Sequence, residues 1–159
     1  MGKNILEVGV GSLINKLHLN KRRDVLFFGD IFVNYIKMCE IFGYKEEMKI
    51  IGQKWMNISL KNLLFGKIKK LPTSFLLNNI MKKIWINLGL MDNFHMNKRG
   101  DIIDIKTENE AITKTIGSNY FSLGLLIGVL NVIFDSHVEI IKSIQRHSFS
   151  EYTFMIENK

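Results

Sequence analysis

Cysteine and proline are almost missing from this 159-residue chain, which has one of each. The lone Cys39 excludes an internal disulfide and any cysteine-rich metal site. No cleavable signal segment is recognisable in "MGKNILEVGVG", which points to the cytoplasm. The signatures of several enzyme classes are absent too: there is no phosphate-cradling glycine loop, zinc-ligand pair or nucleophile elbow. Gly9 and Gly11 in "GVGS" lack the third glycine and the strand-to-helix setting of a dinucleotide site. His18, His95, His137 and His147 are scattered, Glu46 and Glu47 suit the dipole of a helix start, and Asp101 and Asp104 flank a turn. No two carboxylates are spaced so that acid and base roles can be assigned. The expectation is therefore no catalytic residue, no metal and no cofactor, with an enzyme the least supported class.

Charge is present but not concentrated. The net charge of +7 is dispersed, with only "KRR" (Lys21, Arg22, Arg23) and "KIKK" (Lys67, Lys69, Lys70) clustered. No helix-turn-helix, zinc finger or aromatic RNA-binding signature accompanies it, so nucleic acid is not an expected partner.

What the chain does have is an uncharged run from Ile116 to Phe134, inside "TIGSNYFSLGLLIGVLNVIF". Its length approaches the roughly 20 residues of a membrane helix. Ser118, Asn119, Ser122 and Asn131 dilute it, however, and no second such segment supports insertion. A helix over Thr115 to Phe134, apolar nearly all round and buried inside a domain, is the expected structure, with no membrane span.

Before it, helical periodicity dominates. A short helix is expected around Leu13, Ile14 and Leu17, with residues 1–23 otherwise poorly assigned. A helix follows from Asp30, with Phe32, Tyr35, Ile36, Cys39 and Phe42 inward and Gly43 as its stop. A second runs from about Glu46 with Met48, Ile51, Trp55 and Ile58 inward. After the solvated "GKIKKLPTS", Pro72 opens a third, with Leu77, Ile80, Met81, Ile84 and Leu88 as its stripe and Gly89 as its end. The period then becomes two. Phe94 and Met96, then Ile103 and Ile105, alternate with polar residues around "KRGD" as a hairpin. Val138, Ile140 and Ile144, then Tyr152, Phe154 and Ile156, form another across "RHSFS". The order helices, hairpin, helix, hairpin predicts one α+β domain over 1–159. An antiparallel sheet of about four strands packs on helices, and a buried helix links the two C-terminal hairpins.

The glycine pair in "SLGLLIGVLNVIF", then "HVEIIKSI" and the closing "YTF", resembles the four-vinyl reductase-like domain, a small ligand-binding α+β module related in fold to TRAPP-type trafficking subunits. "VLFFGDIFVNYI" and "LLNNIMKKIWINLGL" are similar to that family's earlier helices, so the resemblance spans roughly Asp24 to Glu157. Phenol-sensing relatives hold a structural zinc. The resemblance carries its ligand positions onto Ile141, Ile144 and Tyr152, or with one residue of slippage Lys142, Gln145 and Tyr152, with an upstream position near Ser118 or Asn119. None of these is a plausible zinc ligand. The resemblance thus implies the scaffold without its zinc clamp, a homodimer, and an apolar pocket beside the central helix. No residue pattern in the chain supplies a hydride-donor site, so the reductase activity is not carried over.

Gly124 and Gly128, four apart, share one helix face and either leave room for a ligand or admit a close neighbour. The functional expectation is a non-catalytic module binding a small hydrophobic or aromatic molecule, with Trp85, Phe94, Tyr120, Phe121, Gly124 and Gly128 as lining. The alternative is a protein-interaction subunit whose core is filled.

Overall fold

The computed structural model describes residues 22–64, 72, 75–82, 86 and 91–157. Internal contacts divide the chain into Met1–Tyr35 and Ile36–Lys159, and helix α1, Arg22–Ile41, runs across the division. Gly43, at φ +96°, ends α1 with a left-handed residue that other side chains rarely adopt, and the Tyr44 amide turns back to the Cys39 carbonyl at 3.0 Å. Helix α2 follows at Lys45–Leu64 with Glu46 and Glu47 in its first turn, where the positive end of the helix dipole favours them. A six-residue π-helix occupies Leu76–Met81. The helix expected around Leu13 lies outside the described residues, as do Ile84, Leu88 and Gly89.

The expected α+β class is the observed one. Strands β1 (Asn93–Arg99) and β2 (Ile102–Glu108) form the first hairpin, and β3 (Val138–Arg146) and β4 (Phe149–Ile156) the second. All pairs are antiparallel in the order β1-β2-β4-β3, so the two hairpins join through β2 and β4. Gly100, at φ +58°, permits the two-residue turn between β1 and β2. Phe94, Ile103, Ile105, Tyr152, Phe154, Ile156 and Val138 are buried on one face of this sheet.

Between the hairpins the chain forms a short helix α3, Thr113–Ile116, and then α4, Tyr120–Phe134. The continuous helix expected from Thr115 is interrupted because Gly117 turns left-handed, at φ +75°, and Asn119 restarts the chain as a helix cap. From Phe121 to Leu130 every residue of α4 is buried, which explains the absence of charge. Its covers are α2, its most extensive neighbour, and β3. No helix among the described residues is long and apolar enough to cross a membrane.

The α2–α4 contact is made by backbone on backbone. A Cβ on Gly124 would collide with the Lys49 carbonyl, one on Gly52 with the Phe121 carbonyl, and one on Gly128 would lie 2.6 Å from the Gln53 carbonyl. Three glycines on two helices thus let the main chains approach where any side chain would hold them apart.

That contact corrects which face of α2 is inward. Met48 is buried as expected, but Ile51, Trp55 and Ile58 are 48, 50 and 62 % exposed, because Gly52 and Leu60, not the apolar stripe, face the core. On α1, Ile36 is buried and Cys39 half-buried, whereas Phe32 and Tyr35, and Phe42 just past its end, are exposed.

Replacement of Gly124 by Ala forces the helices apart or distorts one of them, and overpacking of this kind costs about 1–3 kcal/mol. Chemical denaturation of Gly124→Ala should show a lower midpoint with an unchanged slope; an unaltered midpoint would mean that the two backbones are not in contact.

Candidate functional site

Of the residues expected to line a pocket, those that the structure describes stand at three places in the fold. Phe121, Gly124 and Gly128 do share a face of α4, but α2 fills the space in front of it, and the Phe121 ring lies 5.7 Å from that of Trp55. Phe94 is buried in β1, cross-strand from Thr107. Tyr120 is half-buried at the first turn of α4, with the Lys45 ammonium 5.5 Å from its ring centre. Trp85 lies outside the described residues. A ligand in contact with α4 would have to enter from a face other than that of the two glycines.

What the fold does gather is a buried polar cluster at the start of α4. The first N–H groups of a helix have no partner within it, and burial makes leaving them bare costly. Glu40, 1 % exposed and reaching from α1, accepts from the Tyr120 amide at 2.7 Å and the Phe121 amide at 3.2 Å through Oε1. Its Oε2 accepts from the Ser118 hydroxyl at 3.1 Å. Asn119 Oδ1 accepts from the Ser122 amide at 2.9 Å, as a helix cap does. The amide of Asn119 itself donates to Gln145 Oε1 at 2.9 Å.

A second buried carboxylate completes the cluster. Glu110 accepts from the hydroxyls of Thr107 and Thr113 and from Asn119 Nδ2. The Tyr152 hydroxyl lies 3.5 Å from Glu110 Oε1 and accepts from Gln145 Nε2 at 3.0 Å. Burial pushes the Glu110 carboxyl above the usual carboxylate range, against the opposing pull of these donors. Burial, and then the Glu110 charge, raise the Tyr152 hydroxyl well above its ordinary value.

Gln145 reaches this cluster only because β3 is irregular. Ile140 pairs with Phe154 and Lys142 with Thr153, so Ile141 is an extra residue, a β-bulge. Beyond it every side chain changes face. Ile144, expected beside Val138 and Ile140, instead sits opposite Glu151, while Gln145 turns inward opposite Ser150.

On the opposite sheet face, His95, Asn97, Arg99, Lys106, Lys142 and Glu151 border an open hollow of about 430 Å³. Arg99 donates to Asp104 at 2.6 Å there and holds the Asp104 carboxyl below the usual range. Among the described residues no group of three His, Cys, Asp or Glu side chains is placed to hold a metal ion.

The most conspicuous exposed feature is apolar. Ile51, Trp55 and Ile58 on α2, in line with Tyr44 just before its first residue, are each 48–62 % exposed. Met38, Ile41 and Phe42 add 56, 66 and 69 % exposed side chains at the adjoining end of α1. Apolar periodicity signalled these residues; that they face outward was not legible, since periodicity marks a stripe without saying what covers it. Neither Glu40 nor Glu110 had a sequence signal, their partners lying up to 81 positions away. No family model matches the chain, and no curated protein matches it.

The Glu110 shift has a definite sign. A carboxyl raised on folding favours the folded state at low pH, and that contribution is lost as pH climbs from the ordinary carboxylate range through the raised value. The melting temperature of Glu110→Gln minus that of the native chain should therefore become more positive between about pH 4 and pH 7. A difference that is flat or falls with pH would show that Glu110 is not held in this way.

Proposed function

We propose that this chain is a cytoplasmic, non-catalytic protein-interaction subunit that pairs with a second copy of itself through the exposed apolar stripe of α2. The observation that carries the reading is the line of Tyr44, just before α2, with Ile51, Trp55 and Ile58, exposed on a helix whose other face is already committed to α4. Together with Met38, Ile41, Phe42 and Ile50 it comprises eight large side chains, each about half exposed or more. At roughly 150–250 Å² for a full aromatic side chain, they present on the order of 700 Å². A standard interface buries about 800 Å² per partner.

Self-pairing suits the charges as well. In a two-fold antiparallel pairing centred on Ile51, Glu47 of one helix lies beside Lys54 of the other, and both residues are exposed at the border of the stripe. The resemblance to four-vinyl reductase-like and TRAPP-type domains, which implies a dimer, points the same way. Asn119, Gln145 and Tyr152, which one of the two alignments in the resemblance relates to zinc ligands, are instead joined by hydrogen bonds within the chain. On this reading the chain is a zinc-free relative of that family. The filled glycine face favours this reading over a hydrophobic-ligand sensor with its pocket beside Gly124 and Gly128.

Sedimentation or native mass measurement at micromolar concentration should find a dimer, and Trp55→Glu with Ile58→Glu should give a monomer with unchanged circular dichroism. A native chain that stays monomeric to about 100 μM, a concentration equivalent to roughly −5.5 kcal/mol, would end the proposal.

A further inference from the structure

Helix starts are ordinarily capped from within a few residues, by the cap position and the one three along. In α4 the local cap, Asn119, serves only the Ser122 amide, and two further amides, Tyr120 and Phe121, are served by Glu40 from another helix. Glu40 stands in the last two turns of α1, where Met38, Ile41 and Phe42 are exposed and Ile36 is the other fully buried side chain. Among the described residues, the fully buried attachments of that segment are Ile36 and the Glu40 carboxylate, which makes three hydrogen bonds.

We propose that Glu40 is a polar latch that docks the end of α1 on the start of α4, so that withdrawing its carboxylate frees residues 36–44 as a local unit and leaves the sheet and the α2–α4 pair intact. Buried apolar packing is distributed over many contacts, whereas a latch of three hydrogen bonds on a single residue is made or broken at once. A carboxylate also meets two amide N–H groups and a hydroxyl with charge-assisted bonds at the positive end of a helix, a match no neutral side chain of that length reproduces. Because Met38, Ile41 and Phe42 belong to the same turns, the latch sets where this part of the apolar surface stands; only that consequence rests on the interaction reading above.

Hydrogen exchange on the full chain tests it directly. In Glu40→Ala the amides of Tyr120, Phe121 and residues 36–44 should exchange at least tenfold faster, while those of Ile103, Ile105 and Phe154 keep their native rates. Glu40→Gln, which retains an oxygen for the two amides but loses the charge, should restore only part of the protection. An equal rise in the strand amides would overturn the latch by making Glu40 a contributor to global stability, and so would unchanged exchange at 36–44. Should Glu40→Ala not fold, Ser118→Ala removes one donor alone: a smaller rise confined to the same amides supports the latch, and none overturns it. Repeating the measurement in Trp55→Glu separates the two readings, since the amides concerned belong to one chain whether or not it dimerises.

Discussion

A helix buried over ten consecutive residues imposes two demands that shape this protein: something must cover all its sides, and something must satisfy the N–H groups where it starts. Both demands are met around α4. Three glycines bring α2 against it at backbone distance, and Glu40, Asn119 and Gln145 bond the groups at its start. A larger residue at Gly52, Gly124 or Gly128 would separate the helices, and a buried amide left bare would cost about 1–3 kcal/mol.

The polar cluster shows how a small domain tolerates two buried carboxylates. Each is surrounded by donors: amides and a hydroxyl around Glu40, hydroxyls and an amide side chain around Glu110. The donors come from α3, Ser118, the cap and first residues of α4, β2 and β4, with Gln145 of β3 bonding Asn119 and Tyr152, so the cluster ties the second hairpin to the helices. The bulge at Ile141 is integral to it, since an unbroken strand would point Gln145 away.

The same close packing accounts for the exposed stripe. α2 uses Gly52 and its neighbours against α4, and this leaves its larger apolar side chains on another face. The core and the apolar surface are therefore two consequences of one helix orientation. The sheet, by contrast, turns its charged face outward, where Arg99 and Asp104 pair across the first hairpin.

Much of the architecture was legible in local pattern. The alternation of Phe94 and Met96, then Ile103 and Ile105, around Gly100 identified the first hairpin. The uncharged run identified α4 as buried, because period and composition depend on near neighbours alone. The candidate site was much less so. Trp55 and Ile58 read as core because a stripe at helical spacing looks the same whether it is covered by the chain or by nothing. Small residues such as Gly52, which marked the true inward face, carry almost no hydrophobic signal. A one-residue bulge reverses a strand's faces without altering composition, so Ile144 and Gln145 exchanged the sides expected of them. Local sequence thus determined the element types, their order and the burial of α4. Only the tertiary structure decided which face of α2 is inward, that Glu40 caps a helix some 80 residues away, and that Glu110 meets Tyr152. These depend on contacts between distant parts of the chain, which no periodicity encodes.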